Sequence, residues 1–315
     1  VNFDWQSPCG DSFGYEAWQG HFELPCLNLF NPDVRSYLFD VIRFWIDEFD
    51  IDGIRLDCAN VLDFNFMKEM RSKTESMKED FWLMGEVIHG DYSRWVNSEM
   101  LHSVTNYELH KSLYSGFNDH NFFEIAHNVR RLEAIGRQLY TFVDNHDEDR
   151  IATKLKLREH LFPIYLCLFT LPGIPSVYYG GEWGVEGKRT NTSDEALRPA
   201  ISIDQEGELH CELTDLIAQL GQIHRRQEAL HTGRYQELLL TNRQYAFARH
   251  GEDSVIIAAV NNDDEPASLA IPVPIQASEA VNLLEPGDRL PISDGKVHIK
   301  LKGNWGAVLK LKGEN

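Results

Sequence analysis

The stretch FDIDGIRLDCAN, residues 49–60, has the form of a short apolar strand that leads to an acid, Asp57. Two later stretches lead in the same way to Glu86 and Asp147: DFWLMGEVIHG, residues 80–90, and LYTFVDNHDEDR, residues 139–150. Asp57 and Glu86 are 29 residues apart, and Glu86 and Asp147 are 61 residues apart. Since one βα unit of an eight-stranded parallel barrel takes about 30 residues, these intervals predict one unit and then two units of such a barrel.

The three acids are predicted to meet at one mouth of the barrel, because catalytic side chains of parallel barrels lie at the carboxyl ends of the strands. Paired carboxylates on such a face are typical of glycosidases. Arg55 lies two residues before Asp57 on the same strand face, and a guanidinium group there would hold Asp57 in its charged form. Any one of the acids, taken alone, could instead be a loop residue or a helix cap, and Arg55 could be a structural ion-pair partner.

The composition is that of an ordinary globular protein. The chain has 315 residues, 43% of them hydrophobic and 25% charged, which is enough for a large core and more than one domain. The formal net charge of −19 disfavours nucleic acid and anionic membrane surfaces as partners, and it suits an enzyme that acts on a neutral substrate. No stretch approaches the roughly 18 consecutive apolar residues of a membrane span, so no transmembrane helix is expected.

The five cysteines are scattered without paired spacing: Cys9, Cys26, Cys58, Cys167 and Cys211. This pattern predicts neither a disulfide framework nor a zinc site, so we expect buried, reduced thiols. Reduced thiols favour a cytoplasmic location, because disulfides persist in oxidising compartments.

The pattern of apolar residues divides the chain into three regions. Residues 1–30 are rich in glycine and aromatic residues and are predicted to be a loop region that leads into the barrel. Residues 31–232 alternate between helical and strand-like patterns, which predicts a parallel α/β domain with five strands. Residues 233–315 contain seven short strand-like segments separated by turn residues, which predicts a small antiparallel β domain.

The middle region can be divided further into helices and strands. Asn31 is predicted to cap the first helix, whose first turn contains Pro32. The expected helices are residues 31–49, 64–79, 92–98, 121–137, 154–170 and 212–230. One expected strand leads to Asp57, and the others are residues 81–86, 102–107, 139–145 and 174–179, the last of them buried.

These stretches resemble the signature motifs of the α-amylase family, glycoside hydrolase family 13. GIRLDCAN resembles the family's nucleophile strand, which matches Arg55 and Asp57, and GEV resembles its acid/base strand, which matches Glu86. FVDNHD resembles the third signature, which matches His146 and Asp147. The resemblance implies an α/β fold, with about the last five strands of a (β/α)8 TIM-barrel catalytic domain in residues 31–232 and a small antiparallel β-sandwich domain after them.

Finer features resemble the subgroup of neopullulanases, cyclomaltodextrinases and maltogenic amylases. Members of that subgroup have an Ala-Asn pair after the nucleophile, as at Asn60, and a His three residues after the acid/base, as at His89. Asp194 and Arg198 resemble a pair that holds a glucose unit beyond the cleavage point. The structural alternatives are that Asn60 caps the following helix, that His89 is a loop residue, and that Asp194 and Arg198 form a surface helix pair.

The implied activity is retaining hydrolysis of α-glucosidic bonds in starch-derived glucans or malto-oligosaccharides. Asp57 would attack the anomeric carbon to form a covalent glycosyl-enzyme, and Glu86 would protonate the leaving oxygen and then activate water. Asp147 and His146 would bind sugar hydroxyl groups, and Arg55 would orient Asp57. No redox or metal cofactor is required; calcium stays an option, although this segment gives no support for it.

The family's first signature, Asp-x-x-x-Asn-His, does not occur in the sequence, and the first three strands are not recognised. We therefore expect the C-terminal part of a longer enzyme, whose missing N-terminal barrel segment would be its partner, and a homo-oligomer is a further option. Three rival functions stay open: a glucan transglycosylase with the same residues, a non-catalytic amylase-fold protein that binds carbohydrate or a partner, and a metal-dependent hydrolase.

Overall fold

The structure, a computed structural model, describes residues 1–202, 204, 206–285 and 287–312. Its internal contacts divide the chain into two units. The first consists of Val1–Gly85 and Asn97–His102, and the second consists of Glu86–Val96 and Ser103–Asn315. The predicted domain boundaries near residues 30 and 232 follow the sequence pattern rather than these contacts, and they stay predictions.

The first unit contains an antiparallel hairpin, two α-helices and two parallel strands. Its elements are β1 (Ala17–Trp18), β2 (His21–Pro25), α1 (Pro32–Phe49), β3 (Gly53–Leu56), α2 (Phe64–Met77) and β4 (Trp82–Gly85). The hairpin of β1 and β2 corrects the prediction that residues 1–30 are loop throughout. Helix α1 begins as predicted, because the side chain of Asn31 accepts a hydrogen bond from the backbone N–H of Asp33.

Strands β3 and β4 are parallel, with Gly53 opposite Trp82 and Leu56 opposite Gly85. A glycine is needed at position 53 because a Cβ atom there would lie 2.4 Å from the carbonyl oxygen of Trp82. The pairing sets the carboxyl ends of the two strands side by side, as consecutive βα units of a parallel barrel do.

The second unit contains short parallel strands among helices, followed by a large sheet. The elements before that sheet are β5 (Ser103–Val104), α3 (Tyr107–Asn118), α4 (Phe122–Arg131), β6 (Tyr140–Phe142), α5 (Ile151–Lys154), α6 (Leu161–Thr170), β7 (Ile174–Ser176), α7 (Glu206–Leu209), α8 (Glu212–Arg226) and α9 (Glu228–His231). Strands β6 and β7 are parallel, and Thr105 forms a parallel bridge to Tyr140. The part of the chain that the structure describes thus contains the five expected barrel strands, β3 to β7.

Helix α3 is absent from the sequence prediction, which extends a strand through residues 102–107. The error has a local cause, since Val104, Thr105 and Tyr107 all favour strands. Asn106 ends the extended segment, because its side chain accepts a hydrogen bond from the N–H of Leu109 and so caps the helix.

Other predicted helices are shorter or divided. The predicted helix 92–98 is a single 3₁₀ turn, Tyr92–Arg94, and the predicted helix 121–137 ends at Arg131. Within the predicted helix 154–170, α5 ends at Lys154, a 3₁₀ turn follows, and α6 begins at Leu161; Pro163, which has no N–H to donate, is tolerated in the first turn of α6. The last predicted helix is interrupted at Gln227. Strand β7 is partly exposed rather than buried.

An antiparallel sheet of eight strands forms the C-terminal part of the second unit, one strand more than the sequence predicts. Its strands are β8 (Arg234–Leu240), β9 (Gln244–His250), β10 (Val255–Asn261), β11 (Ala267–Pro272), β12 (Glu279–Asn282), β13 (Arg289–Ser293), β14 (Lys296–Leu301) and β15 (Trp305–Lys312). Their order across the sheet is β11-β14-β13-β12-β15-β10-β9-β8. The additional strand is β13, whose sequence RLPIS contains a proline, a residue that is depleted in strands.

Strand β9, which lies between β10 and the edge strand β8, is buried on both faces. Tyr245 and Phe247 pack into a core that they share with α3, α4, α6 and α8. Ala246 and Ala248 point to a second core that lies within the β domain. This alternation follows from the two-residue period of a strand, and it joins the helical and β parts of the second unit.

None of the helices in the described ranges has the length and apolar character needed to cross a lipid bilayer. All five cysteines are free thiols, and Cys167 is fully buried. The expectation of burial is wrong for Cys9 and Cys26, which are exposed, and Cys58 and Cys211 are only partly buried.

Candidate active site

Arg55 and Asp57 are the predicted site residues at the end of β3. Arg55 lies on the strand, and Asp57 is the first residue after it. Nη1 of Arg55 donates a hydrogen bond to Oδ1 of Asp57 over 2.9 Å. The Asp57 side chain is 74% exposed. The guanidinium group therefore orients a carboxylate that stays accessible.

Asn60 lies three residues further on, in the 3₁₀ turn Ala59–Val61, and it is exposed. It does not cap the following helix, because Asp63 has that role. Oδ1 of Asp63 accepts a hydrogen bond from the N–H of Phe66 over 2.8 Å. The structural alternative for Asn60 is therefore wrong, and its role in binding a substrate stays a prediction.

Glu86 is the first residue after β4, and only 6% of its surface is exposed. The hydroxyl group of Tyr107 donates a hydrogen bond to Oε1 of Glu86 over 3.2 Å. The next residue, Val87, is fixed by Thr105, whose Oγ1 accepts a hydrogen bond from the Val87 N–H over 2.9 Å. His89 is exposed, so its ring is accessible from solvent on the loop that begins at Glu86.

Tyr107 and Asn145 complete the surroundings of Glu86, and the sequence analysis missed both. Burial raises the pKa of Tyr107, so its hydroxyl group stays protonated. Nδ2 of Asn145 donates a hydrogen bond to the Tyr107 hydroxyl oxygen over 3.1 Å, and Oδ1 of Asn145 accepts one from the N–H of Asp147 over 2.9 Å. The signal for Asn145 was its position inside the FVDNHD motif, whereas Tyr107 gave no local signal.

Asp147 is held by three side chains that can carry positive charge. Nε2 of His146 lies 3.0 Å from Oδ2 of Asp147, and Nη2 of Arg198 lies 3.0 Å from Oδ1. Nη2 of Arg189, another residue that sequence reasoning missed, lies 3.7 Å from the same Oδ1. The Asp147 side chain is 33% exposed, so a small polar ligand can reach it.

Arg198 connects Asp147 to Asp194. Its Nη2 also lies 3.0 Å from Oδ2 of Asp194, and its Nε donates a hydrogen bond to the backbone oxygen of His146 over 3.1 Å. Asp194 and Arg198 flank the 3₁₀ turn Glu195–Leu197, so they are not a pair on the surface of a regular α-helix. The structure instead brings them together with Asp147 and His146.

Two acids within the loop after β6, the buried Asp144 and the half-buried Glu148, hold that loop in place. Oδ2 of Asp144 accepts a hydrogen bond from the N–H of Ile151 over 2.8 Å, and burial raises the pKa of Asp144 to about 6. Glu148 pairs with Lys154 and lies 3.6 Å from Nε2 of the buried His110. The nearby His110 side chain, and then Lys154, lower the pKa of Glu148 to about 2, while burial lowers the pKa of His110.

Comparison with known proteins gives matches over most of the chain. A family profile described as the catalytic domain of alpha amylase matches residues 6–228. The chain is 28% identical to a cyclomaltodextrinase from Geobacillus thermopakistaniensis (strain MAS1), over 83% of this chain and 45% of that protein. It is 29% identical to neopullulanase 2 from Thermoactinomyces vulgaris, over 91% of this chain and 49% of that protein.

Among solved structures, an alpha-amylase from Anoxybacillus has a TM-score of 0.82 and 28% identity, and the match covers 93% of this chain and 66% of that one. The predicted fold class is confirmed, with strands and helices of a barrel-type catalytic domain followed by an antiparallel β domain. The chain spans about half the length of the curated relatives that it matches.

Proposed function

The chain belongs to the alpha-amylase family of catalytic domains, and we propose that it is a retaining α-glucoside hydrolase of starch-derived glucans or malto-oligosaccharides. The observation that carries the proposal is the register of β3 and β4. Leu56 is paired with Gly85, and the residues that directly follow these two are Asp57 and Glu86. A nucleophile and an acid/base at the ends of neighbouring parallel strands are what retaining hydrolysis on a barrel needs.

The proposed reaction has two steps. In the first, Asp57 attacks the anomeric carbon while Glu86 gives a proton to the glycosidic oxygen, so the C–O bond breaks and a covalent glycosyl-enzyme forms. In the second, Glu86 takes a proton from water, and the water oxygen displaces Asp57 from the carbon. The surroundings support these roles, because Asp57 is exposed and oriented by Arg55, whereas Glu86 is buried against the Tyr107 hydroxyl group.

A cluster of four partly exposed polar side chains is proposed to bind the hydroxyl groups of one glucose unit: His146, Asp147, Asp194 and Arg198. Carboxylates accept hydrogen bonds from sugar hydroxyl groups, and a guanidinium group donates to them, so each type of group has a complementary partner here. Asn60 and His89 are both exposed, and they are proposed to contact sugar units next to the cleavage point.

The proposed substrates are cyclic or short malto-oligosaccharides. The names of similar proteins support this choice, since they include cyclomaltodextrinases, neopullulanase 2 and a maltogenic alpha-amylase. A net charge of −19 also suits a neutral substrate better than an anionic one. We further propose a cytoplasmic location, which the five free cysteines support.

The test is to incubate the purified chain with maltotriose, β-cyclodextrin and pullulan and to measure the sugars released. From maltotriose we expect glucose and maltose, with the α-anomer formed first in proton NMR, because two displacements retain the configuration. The matched control is Glu86→Gln, which keeps the size of the side chain and should lose about 10²–10⁴-fold in rate. A folded parent chain that releases no sugar from any of these substrates contradicts the proposal.

Product analysis separates the rival functions. Products longer than the substrate at high acceptor concentration would favour transglycosylation by the same residues. Saturable binding of malto-oligosaccharides without any turnover would favour an amylase-fold binding protein.

A further inference from the structure

We propose that a hydrogen-bond chain from Asp147 to Glu86 fixes which oxygen of the Glu86 carboxyl group carries the catalytic proton, with Asn145 and Tyr107 as positioning residues. This inference rests on the proposed hydrolase function. The hydrogen-bond chain has three members. The Asp147 N–H donates to Oδ1 of Asn145 over 2.9 Å, and Nδ2 of Asn145 donates to the Tyr107 hydroxyl oxygen over 3.1 Å. That hydroxyl group donates to Oε1 of Glu86 over 3.2 Å.

Donation along this chain can run in one direction only. A backbone N–H can donate but not accept, so the N–H of Asp147 must face the carbonyl oxygen of the Asn145 amide. The NH₂ group of the same amide then faces Tyr107 and uses an acceptor position on its hydroxyl oxygen. A hydroxyl group has one proton, and the proton of Tyr107 is therefore directed at Glu86.

The surroundings hold Tyr107 in this orientation. The residue is 8% exposed, and its ring packs edge-on against Phe142 at 5.0 Å and against His110 at 6.3 Å between ring centroids. Burial raises the pKa of the hydroxyl group, so the group keeps its proton over the range in which carboxylates and histidines titrate. Tyr107 therefore offers Glu86 a donor whether that carboxyl group is neutral or ionised.

A donor directed at Oε1 makes Oε2 the oxygen that carries the acid proton. A neutral carboxyl group accepts at its carbonyl oxygen and donates from its hydroxyl oxygen. In the first step the proton moves from Oε2 of Glu86 to the glycosidic oxygen as the C–O bond breaks, and the Tyr107 proton stays on Tyr107. The negative charge left on Glu86 then meets a donor already in place, and such charge-assisted hydrogen bonds are the stronger ones.

The test compares the parent chain with Tyr107→Phe, Asn145→Ala and the double variant. Tyr114→Phe is the matched control, because Tyr114 lies on the same helix but contacts His110 and Lys154. One readout is the alkaline limb of the pH profile of kcat/KM for maltotriose. The other is the pH titration of the Glu86 carboxyl carbon by ¹³C NMR in glutamate-labelled protein, assigned as the signal that Glu86→Gln removes. The second readout needs no turnover.

We expect Tyr107→Phe to move both readouts to higher pH by about one unit, because a hydrogen bond to an ionised group favours the ionised form. Asn145→Ala should give a smaller shift in the same direction, since the Tyr107 hydroxyl group is then free to turn. In the double variant the shift should equal that of Tyr107→Phe alone, because Asn145 acts through Tyr107. Tyr114→Phe should leave both readouts unchanged.

A folded Tyr107→Phe variant with the parent's titration midpoint overturns the proton assignment, and so does a double variant in which the two shifts add. An inactive parent chain whose Glu86 titration still shifts in Tyr107→Phe overturns the proposed function and supports the hydrogen-bond chain. If the parent protein is active and Tyr107→Phe shows no shift, the proposed function is supported and the proposed hydrogen-bond chain is overturned.

Discussion

Nη2 of Arg198 lies 3.0 Å from Oδ1 of Asp147, although the two residues are 51 positions apart in sequence. The same nitrogen lies 3.0 Å from Oδ2 of Asp194. One guanidinium group is thus shared by two carboxylates, and it offsets part of the negative charge that they would otherwise present to a substrate. This arrangement makes Arg198 a member of the candidate sugar-binding cluster rather than an isolated surface cation.

Substitution of Arg198 should weaken substrate binding. We expect Arg198→Ala to lower kcat/KM for maltotriose by about 10- to 100-fold, mainly through a higher KM, because the Asp147 carboxylate loses a partner that orients it. Arg189→Ala is the control. The contact of Arg189 to the same oxygen is longer, at 3.7 Å, so its loss should lower kcat/KM by less than about threefold. Steady-state kinetics measures both, and equal losses in the two variants would contradict a specific role for Arg198.

The acid role of Glu86 predicts that Glu86→Gln is more damaging with a poor leaving group than with a good one. Maltotriose needs a proton on its leaving oxygen, so we expect a loss of about 10²–10⁴-fold. The leaving group of 4-nitrophenyl α-maltoside is the stable 4-nitrophenolate, which needs little protonation, so the rate of its cleavage should fall by less than about tenfold. Pre-steady-state release of nitrophenolate measures the first step, and equal losses with both substrates would argue against an acid role.

Glu148 predicts a pH dependence of stability at acidic pH. His110 and then Lys154 lower its pKa from 4.5 to about 2. A lowered acid pKa stabilises the fold above pH 4.5, and the contribution is lost as the pH falls towards 2. We expect Glu148→Gln to lower the free energy of unfolding near pH 7 by on the order of 2 kcal/mol. Near pH 3 the free energies of unfolding of the variant and the parent should lie closer together. Urea denaturation measures the difference, and a difference that does not change with pH would contradict this origin.

His160 predicts a second pH dependence, closer to neutrality. Its ring is buried beside Phe117 and His120, with centroids 5.6 and 5.5 Å away, and burial lowers its pKa from 6.5 to about 4. Between these two pH values the unfolded chain binds a proton at His160 that the folded chain does not bind. The free energy of unfolding is therefore highest above pH 6.5 and falls as the pH drops towards 4.

We expect His160→Phe, which keeps a ring but cannot titrate, to lose less stability than the parent chain between pH 7 and pH 5. Urea denaturation at the two pH values measures this difference. A variant that loses as much stability as the parent would place the titrating group elsewhere.

The strands that lead to the candidate acids could be predicted because each is a short apolar run bounded by polar residues. The sequence predicts strand β4 at residues 81–86, and it lies at Trp82–Gly85. Helix α3 could not be predicted in the same way, because the residues before Asn106 have strand propensity. The side chain of Asn106 can cap the helix only once the chain has turned and brought the N–H of Leu109 within reach. Strand β13 was missed because pairing with its neighbours outweighs the unfavourable proline that it contains.

The candidate acids Asp57, Glu86 and Asp147 and the contact between Arg55 and Asp57 could be predicted from the local sequence. Local rules suffice there, because side chains two residues apart on a strand share a face and an acid after a strand lies at its carboxyl end.

Two contacts follow from the three-dimensional fold instead: Tyr107 donates to Glu86 from 21 positions away, and Arg198 reaches Asp147 from 51 positions away. These contacts depend on how α3 packs against β6 and on the path of the loop after β7. Many side chains with the same local sequence pattern could have filled those places. Long-range packing selects among them, and no local pattern of apolar and polar residues encodes that choice.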